Sequence, residues 1–455
     1  MKTFVFFGAT GNLFTDKIFP ALCSLTRDKR LTDFSVTAVG RRYNDKESYK
    51  KHLFHTIQNK DVKAAEELLQ RTRYLRSDAL KEEDYHNFPE RAGLTSSDEV
   101  LFYLAVAPSL YQPILELLST FVVPHISKLR RKIILEKPFG ADAASFQELD
   151  KAVKRCFSEE DTFFVDHYLG KNTVQNLIVL KAENTFLERI LHRDFVSEVR
   201  ISVCESSGVG KRGKFYEETG AIRDILQNHL LQLLTLMTAD SPPLCEPDRK
   251  ECDAFLFSLS ERKREILEHL IPPDTEKIHI GQYEGYRKEV DNPSSIVETL
   301  VSLPLYIDTS RWRGVPFRLL TGKKMISRKA SIEVVFRSNN DPPNLLQVEI
   351  QPEERMDMLI HVKKPGLGLF SFPVRLNFSY SGSFDGATSE AYESILFDCF
   401  TGDRTLFPDS SFIQACWRVT DTIRKLLAER NAQPAMYSPE TLDTGDFWPS
   451  IARFE

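Results

Sequence analysis

The sequence predicts an α/β domain with a doubly wound parallel sheet, followed by an α+β domain with a large, mostly antiparallel sheet. In the first third of the chain, short apolar runs alternate with amphipathic stretches, as is typical of parallel strands joined by crossover helices. After about residue 166 the pattern changes to strand-like runs around a long helical region. We therefore expect one domain over residues 1–166 and a second over residues 167–455.

In the first domain, runs rich in β-branched and aromatic residues predict strands, and amphipathic stretches predict helices. The predicted strands cover residues 3–7, 35–39, 100–105 and 132–135. The helical patterns between them include residues 49–58 and 62–70. Because strands and helices alternate, the strands are expected to pair in parallel.

The second domain shows imperfect two-residue alternation, which favours half-buried strands of an antiparallel sheet. The predicted strands cover residues 198–204, 332–336, 346–351, 358–362 and 374–380. Helices are predicted around residues 222–237 and 411–429. Breaks rich in proline and glycine at residues 241–243 and 364–366 predict loops within this domain.

The composition is that of a globular enzyme with a core. The 455 residues are 42% hydrophobic and 27% charged, with a net charge of -5. This charge provides no overall field for nucleic acids or anionic membranes. The 7 cysteines show no zinc-type spacing, which favours reduced thiols. With no signal-peptide pattern and no membrane-length apolar run, we expect a cytoplasmic protein that binds neither membrane nor nucleic acid.

A glycine turn follows the first predicted strand. The chain runs Gly-Ala-Thr-Gly-Asn-Leu from Gly8 to Leu13, with Gly11 as the second glycine, and then enters a helical pattern. Glycines let the backbone approach a pyrophosphate, and the helix start offers free N–H groups. A plain tight turn is the alternative, but the position at the first strand-to-helix turn favours a Rossmann-like nucleotide site.

Arg41 stands at the tip of the second predicted strand, within Val39-Gly40-Arg41-Arg42. A site for NAD⁺ usually has a carboxylate here for the ribose 2′-hydroxyl, whereas an arginine accommodates a 2′-phosphate. We therefore expect NADP⁺ as the cofactor, with NAD⁺ as the alternative.

Polar residues concentrate in three short segments: residues 136–140, 166–171 and 220–230. In the second segment, histidine, tyrosine and lysine side chains form a natural donor set for a phosphate group. In the third, Asp224 and His229 lie about one and a half turns apart on a predicted apolar α-helix. A polar pair in such a place must be hydrogen-bonded or functional.

These residues suit the oxidation of a hydroxyl group. Such a reaction needs a base for the proton and a nicotinamide for the hydride, and no metal site is predicted. A histidine suits the base because its pKa lies near neutrality, and a buried carboxylate can fix its tautomer. A lone histidine on an apolar helix is more often a core residue, but the neighbouring polar segments favour catalysis.

At these segments the chain resembles the glucose-6-phosphate dehydrogenase family. Asp-His-Tyr-Leu-Gly-Lys at residues 166–171 is identical to the family signature, and residues 205–232 match its active-site helix. Further matches lie at residues 136–140, 311–317, 322–323, 328–329, 402–403 and 405–407. The resemblance therefore spans nearly the whole chain.

The resemblance implies an NADP⁺-linked enzyme that oxidises D-glucose 6-phosphate to 6-phospho-D-glucono-1,5-lactone, the first step of the oxidative pentose phosphate pathway. By position, His229 is expected to be the general base and Asp166 the carboxylate that orients it. The Lys137–Pro138 bond is expected to be cis. The family implies a homodimer, or a homotetramer built from dimers, that pairs through the sheet of the large domain.

The same resemblance assigns ligands by position. The sugar phosphate is expected to contact the side chains of His167, Tyr168, Lys171, Lys323 and Arg328. Glu205 and Asp224 are expected to bind sugar hydroxyls, and Gln351 is a further candidate. Lys137 is expected between the sugar and the nicotinamide. The expected cofactor contacts are Gly8, Gly11, Leu13, Arg41 and Lys137.

Two alternatives stay open from the residues alone. The first keeps the oxidoreductase class but changes the sugar phosphate or the nucleotide. The second is a non-catalytic relative that binds nucleotide or sugar phosphate, suggested by Asn12 where the family usually has aspartate. The retained Asp166, His167, Asp224 and His229 favour catalysis, because a protein that only binds has no need of a base.

Overall fold

The structure is a computed structural model that describes residues 1–54, 62–242, 249–383, 390–443 and Phe447. The chain forms two compact units. The first unit contains Met1–Gly170 and Ser389–Ser410, and the second contains Lys171–Thr388 and Ser411–Glu455. The sequence placed the division between residues 166 and 167 and did not predict the return of residues 389–410 to the first unit.

A parallel sheet organises the first unit, as predicted. Its strands are β1 (Lys2–Phe7), β2 (Phe34–Gly40), β3 (Thr72–Arg76), β4 (Glu99–Leu104), β5 (Arg130–Glu136) and β6 (Thr162–Val165). They lie in the order β3-β2-β1-β4-β5-β6, with every pair parallel. The strand order reverses between β1 and β4, the point at which doubly wound sheets bind nucleotides.

Four of these strands were predicted to within two residues at each end, and β3 and β6 were missed. β3 carries three polar side chains among its five residues, and β6 has only four residues. Segments so short or so polar are recognised as strands only when their neighbours in the sheet are known.

Helices connect the strands of the first unit. They are α1 (Phe19–Arg27), α2 (Lys46–Phe54), α3 (Val62–Gln70), α4 (Phe88–Arg91), α5 (Tyr111–Leu117) and α6 (Ala143–Lys154). The helix predicted at residues 62–70 is confirmed by α3. The helix predicted at residues 49–58 begins earlier, at Lys46, and its predicted end lies outside the described residues.

The second unit contains a mixed sheet. Its strands are β7 (Val196–Cys204), β8 (Leu270–Ile271), β9 (His279–Tyr283), β10 (Leu300–Ile307), β11 (Phe317–Gly322), β12 (Lys329–Phe336), β13 (Leu345–Gln351), β14 (Arg355–Lys363), β15 (Ser371–Ser379) and β16 (Ala435–Tyr437). Nine of them follow the order β15-β14-β13-β12-β7-β11-β10-β9-β16, and β8 pairs with β10. Neighbours are antiparallel apart from the pairs β7–β11 and β9–β16.

All five strands predicted for this unit are confirmed, as β7, β12, β13, β14 and β15. Those not predicted include β10 and β11, which have a neighbouring strand on each side. β10 contains Pro304, which argues against a central strand when only the sequence is known. β11 is buried at nearly every position, so its side chains show no two-residue alternation.

The helices of the second unit are α7 (Asn172–Glu183), α8 (Thr185–Ile190), α9 (Gly213–Ala221), α10 (Leu231–Thr238), α11 (Arg249–Glu268), α12 (Tyr286–Glu289) and α13 (Tyr380–Ser383). After the first-unit helix α14 (Ala391–Thr401), helix α15 (Ser410–Glu429) confirms the helix predicted at residues 411–429. The long helix predicted at residues 222–237 is two segments: a π-helix, Ile222–Leu230, continues into α10. No helix among the described residues is long and apolar enough to cross a membrane.

Helix α14 belongs to the first unit because buried charges of the sheet hold its end. The Lys132 ammonium, whose side chain is fully buried, donates to the Cys399 carbonyl at 3.0 Å and pairs with Glu99 at 2.7 Å. Lys2 pairs with Glu99 at 3.2 Å and donates to the Phe400 carbonyl at 2.5 Å. A buried ammonium is stable only when paired, and cations favour the last carbonyls of a helix. The last turn of α14 is thereby anchored.

Candidate active site

The glycine turn lies where β1, β2 and β4 meet. Gly8 follows β1 with φ of +83°, and a Cβ there would lie 2.2 Å from the Ala105 carbonyl oxygen. The Gly8 and Ala9 amides both donate to the Val39 carbonyl at 3.2 Å, and the Gly11 amide donates to the Gly8 carbonyl at 2.9 Å. Only glycine fits this position, and its backbone stays bare, as close approach by a pyrophosphate requires.

A helical segment leaves the turn directly. Leu13, with helical φ and ψ of -59° and -45°, precedes a π-helical turn, Phe14–Ile18, which continues into α1. The Thr15 amide donates back to the Gly11 carbonyl at 3.2 Å. Gly8, Gly11 and Leu13 therefore form one strand-to-helix turn, as the sequence predicted. Free amides at such a helix start attract anionic groups.

Arg41 follows β2 beside this turn. A Cβ on Gly40, the last residue of β2, would lie 2.7 Å from the Thr10 side chain, so the tip of the strand packs closely against the turn. The Arg41 side chain is 81% exposed and lies 3.7 Å from the Asp78 carboxylate. Because the Arg41 guanidinium is exposed and its ion pair with Asp78 is long, it is available to an incoming anion.

Lys137 follows β5, and the Lys137–Pro138 peptide bond is cis, which confirms the expectation from the sequence. Glu136, the last residue of β5, accepts hydrogen bonds from the hydroxyls of Tyr103 at 2.5 Å and Tyr392 at 3.2 Å. Burial raises the pKa of the Glu136 carboxyl to about 7, although these hydrogen bonds lower it. A carboxyl that titrates near neutrality thus stands directly before Lys137.

The sequence indicated a polar segment at residues 136–140, but it predicted no role for Glu136. Its tyrosine partners come from β4 and from α14, far apart in the sequence. Tyr111 of α5 adds a third contact, because its hydroxyl donates to the Glu136 carbonyl at 2.6 Å. No local pattern could have indicated these three neighbours.

Asp166, His167 and Tyr168 form a tight turn after β6. The Asp166 carboxylate accepts the Tyr168 amide at 3.0 Å, and the rings of His167 and Tyr168 lie 5.2 Å apart. Asp166 and Tyr168 are buried, at 4% and 6% exposure. A Cβ on Gly170 would lie 2.7 Å from the Ala391 carbonyl at the start of α14, which explains the glycine in this segment.

The predicted site residues of the first unit share one edge of its sheet. Gly8, Arg41, Lys137 and Asp166 directly follow β1, β2, β5 and β6. Because all six strands are parallel, these four residues emerge at the carboxyl end of the sheet, where α/β sheets bind their ligands.

In the second unit, Lys323 is the centre of a charged cluster with Glu205 and Asp224. Its ammonium pairs with the Glu205 carboxylate and lies 3.9 Å from that of Asp224. Lys323 follows β11 and Glu205 follows β7, and the Glu205 amide donates to the Gly322 carbonyl at 2.9 Å. Because β7 and β11 pair in parallel, both side chains leave the sheet at the same end. The structure thereby brings three predicted substrate residues together.

Tyr216 and Arg212 also belong to this cluster, and sequence reasoning missed both. The Lys323 ammonium lies 5.0 Å from the centre of the Tyr216 ring, and Arg212 lies 4.0 Å from the Asp224 carboxylate. The Tyr216 side chain is 2% exposed. A tyrosine followed by two glutamates in an amphipathic segment carries no signal that separates it from an ordinary core residue.

Arg328 and Gln351 form a second pair in this unit. The Arg328 guanidinium donates to the Gln351 side chain at 3.0 Å. Arg328 lies just before β12 and is exposed, and Gln351 ends the neighbouring strand β13. Lys171, the other predicted phosphate ligand of this unit, directly precedes α7.

The helix that carries Asp224 and His229 is a π-helix rather than the predicted α-helix. Bonds from residue i to i+5 place residues five apart one turn from each other. Asp224 and His229 are therefore separated by one turn, which corrects the one and a half turns expected from the sequence. His229 is 1% exposed, and its backbone amide donates a hydrogen bond to the Asn228 side-chain oxygen at 2.6 Å. π-Helical turns of this kind are frequent at functional sites.

Comparisons with known proteins give two family models that together match most of the chain. A family model described as "Glucose-6-phosphate dehydrogenase, NAD binding domain" matches residues 5–176. A second, described as "Glucose-6-phosphate dehydrogenase, C-terminal domain", matches residues 178–446. The first unit is accordingly a domain that binds a nicotinamide nucleotide.

Curated relatives and solved structures match over almost the full chain. The glucose-6-phosphate 1-dehydrogenase of Chlamydia muridarum is 36% identical, over 91% of this chain and 88% of its own. That of Mycolicibacterium smegmatis is 33% identical, over 96% and 93%. A solved glucose-6-phosphate dehydrogenase in complex with glucose-6-phosphate superimposes with a TM-score of 0.88 at 28% identity, covering 99% of this chain and 98% of that one. The enzyme from Mycobacterium avium gives 0.82 at 28% identity, covering 96% and 94%.

We predict that Gly8→Ala weakens the binding of nicotinamide nucleotides by roughly tenfold or more, because the new Cβ would collide with the Ala105 carbonyl in a backbone conformation that disfavours it. Calorimetric titration with NAD⁺ and NADP⁺ measures the effect. Gly285→Ala is the matched control, since φ is +93° there and no atom lies within 4 Å of the new Cβ. Unchanged affinity in Gly8→Ala would contradict the assignment of the turn.

A further prediction concerns the pH dependence of stability. The pKa of Glu136 is raised from 4.5 to about 7 in the folded protein, so the folded state binds more protons than the unfolded state between these values. This contribution to stability is present at low pH and is lost as the pH rises through that range. Glu136→Gln removes it, so the melting temperature of the variant relative to wild type rises from pH 5 to pH 8. The exposed Glu160→Gln controls for the loss of one charge, and a difference independent of pH would refute the prediction.

Proposed function

The chain belongs to the glucose-6-phosphate dehydrogenase family, and from this premise we propose that it oxidises D-glucose 6-phosphate to 6-phospho-D-glucono-1,5-lactone with NADP⁺. This is the first step of the oxidative pentose phosphate pathway. The observation that carries the proposal is the second-unit cluster, in which Asp224 lies between Lys323 and Arg212 and one π-helical turn before His229. A binding protein without catalysis has no use for that histidine.

His229 is the general base in this proposal, and Asp166 is the carboxylate that fixes its tautomer. His229 accepts the proton of the sugar C1 hydroxyl as the C1–H bond breaks, and its burial excludes water from that transfer. When bound, the nicotinamide supplies the acceptor for the hydride. Lys137 lies between sugar and nicotinamide in this assignment.

The sugar phosphate is assigned to cationic and hydroxyl donors. The donors are His167, Tyr168, Lys171, Lys323 and Arg328. Glu205 and Asp224 accept hydrogen bonds from sugar hydroxyls, and Gln351 is a further contact through its pair with Arg328. The support is the Lys323 cluster, because carboxylates that hold a lysine in place can also accept hydroxyl donors.

NADP⁺ is the proposed cofactor, and NAD⁺ is the alternative. The bare backbone at Gly8 and the helix start after Leu13 fit a pyrophosphate, with Gly11 closing the turn. Arg41, at the tip of β2, suits a ribose 2′-phosphate. Its ion pair with Asp78 is long and exposed, so a phosphate with two charges competes well for the guanidinium.

We also propose a homodimer, or a homotetramer built from dimers, that pairs through the second-unit sheet. β15 is the terminal strand of that sheet. Apolar side chains are exposed on this strand and on the preceding turn: Leu367, Leu369, Phe370, Phe372 and Leu376. Contiguous exposed apolar groups mark association surfaces. A cytoplasmic location is proposed as well, which suits the buried thiols of Cys23, Cys156, Cys204, Cys399 and Cys416, which form no disulfides.

The base assignment is tested with His229→Asn. We expect kcat for glucose 6-phosphate to fall about a hundredfold or more while KM changes little, because the variant retains the binding groups but cannot accept the proton. NADPH absorbance measures both constants. His279→Asn, at an exposed position of the same unit, is the control. A variant with the wild-type rate would exclude His229 as the base.

The cofactor preference is tested with Arg41→Ala. The ratio of kcat/KM for NADP⁺ to that for NAD⁺ should fall about tenfold or more, since a charged hydrogen bond to the 2′-phosphate is lost. Arg42→Ala removes the same charge from the neighbouring exposed residue and should leave the ratio within about threefold. If both variants keep the wild-type ratio, Arg41 does not select the nucleotide.

A further inference from the structure

Gly220 interrupts the helical run before the catalytic π-helix. Its φ of 63° and ψ of -179° lie in a region that essentially only glycine adopts. A new helical segment therefore starts at the next residues, and its first amides have no partner within the helix. A Cβ on Gly220 would lie 2.3 Å from a carboxylate oxygen of Glu298, so glycine also allows this carboxylate to approach.

Glu298 binds the amides at this new helix start. Its carboxylate accepts the Ile222 amide at 3.0 Å, and its carbonyl accepts the Ala221 amide at 3.0 Å. A carboxylate at the start of a helix forms a charge-assisted bond and is favoured by the helix dipole. Glu298 thus binds the amides of two consecutive residues, and the second of them lies two positions before Asp224.

Thr299, the next residue, holds Lys323. The Thr299 carbonyl accepts the Lys323 amide at 2.9 Å. The Tyr437 hydroxyl donates to the Lys323 carbonyl at 2.6 Å and lies 2.9 Å from the Thr299 hydroxyl. Residues 298–299 therefore contact the backbone shortly before Asp224 and the backbone of Lys323 itself.

We propose that Glu298 is a positioning residue of the active site: it holds the start of the π-helix so that Asp224 stays opposite Lys323 and His229 keeps its place one turn later. The inference rests on the proposed function for its kinetic consequences. Glu298 acts through the helix backbone and has no direct contact with the substrate in this proposal.

A control for general destabilisation lies on the same stretch of chain. Glu217 of α9 accepts hydrogen bonds from Tyr286 at 2.7 Å, Asn292 at 2.6 Å and Ser295 at 2.7 Å. Glu217→Ala removes a comparable carboxylate from α9 without touching the amides of Ala221 and Ile222.

The experiment compares Glu298→Ala, Glu298→Asp and Glu298→Gln with Glu217→Ala. We expect kcat/KM for glucose 6-phosphate to fall roughly tenfold or more in Glu298→Ala, because small displacements of reacting groups are costly, with KM for the nucleotide unchanged. If Glu298→Ala does not fold, Glu298→Asp takes its place. The aspartate side chain is too short to reach the Ile222 amide, so kcat/KM should fall in this variant as well. Glu298→Gln keeps the acceptor oxygen and should remain within about threefold of wild type.

Backbone hydrogen exchange provides a readout that does not depend on activity. Amides of residues 221–230 should exchange about tenfold faster in Glu298→Ala or Glu298→Asp, and at the wild-type rate in Glu217→Ala. Equal kinetic losses in the variants of Glu298 and Glu217, or unchanged exchange over residues 221–230, would overturn the proposal. If the wild-type protein does not oxidise glucose 6-phosphate, the proposed function fails, and the exchange comparison still decides whether Glu298 holds this helix.

Discussion

A nearly buried ammonium, that of Lys323, imposes the central constraint on the second unit. A charge in such a place is stable only when carboxylates and hydrogen bonds surround it. Glu205 and Asp224 meet this need, and each comes from a different element. Glu205 reaches Lys323 because β7 and β11 run in parallel, and Asp224 reaches it because a π-helix begins at Ile222. The parallel strand pair and the unusual helix are thus both parts of one electrostatic arrangement.

In the first unit, the constraint is the parallel arrangement of the strands. Parallel strands place the residues that follow them at one edge of the sheet, so Gly8, Arg41, Lys137 and Asp166 all emerge at that edge without long loops. Helix α14 then completes this unit from more than two hundred residues further along the chain. Its Tyr392 reaches Glu136, directly before Lys137. The late segment thereby contributes to the surroundings of the residue that ends β5.

Family membership and geometry support the proposed chemistry from separate directions. Membership follows from similarity along the chain, whereas the geometry concerns which side chains are paired and how deeply they are buried. The geometry also singles out residues that lie outside the family motifs. Glu298 and Tyr392 are of interest because of their contacts alone, and Glu298 connects the helix of His229 to the backbone beside Lys323.

The sequence by itself determined the fold class, four of the six strands in the first sheet, five of the ten in the second, the glycine turn at Gly8 and the polar segments that carry the chemistry. These features depend on local properties: the periodicity of apolar residues, the need for glycine at positive φ, and short runs of reactive side chains. Only the tertiary structure decided the π-helical spacing of Asp224 and His229, the strands β3, β6 and β10, the return of α14 and the partners of Lys323. Each of these depends on burial and pairing between segments distant in the chain, and periodicity within one segment carries no information about the charges and hydrogen bonds that another segment will bring to it.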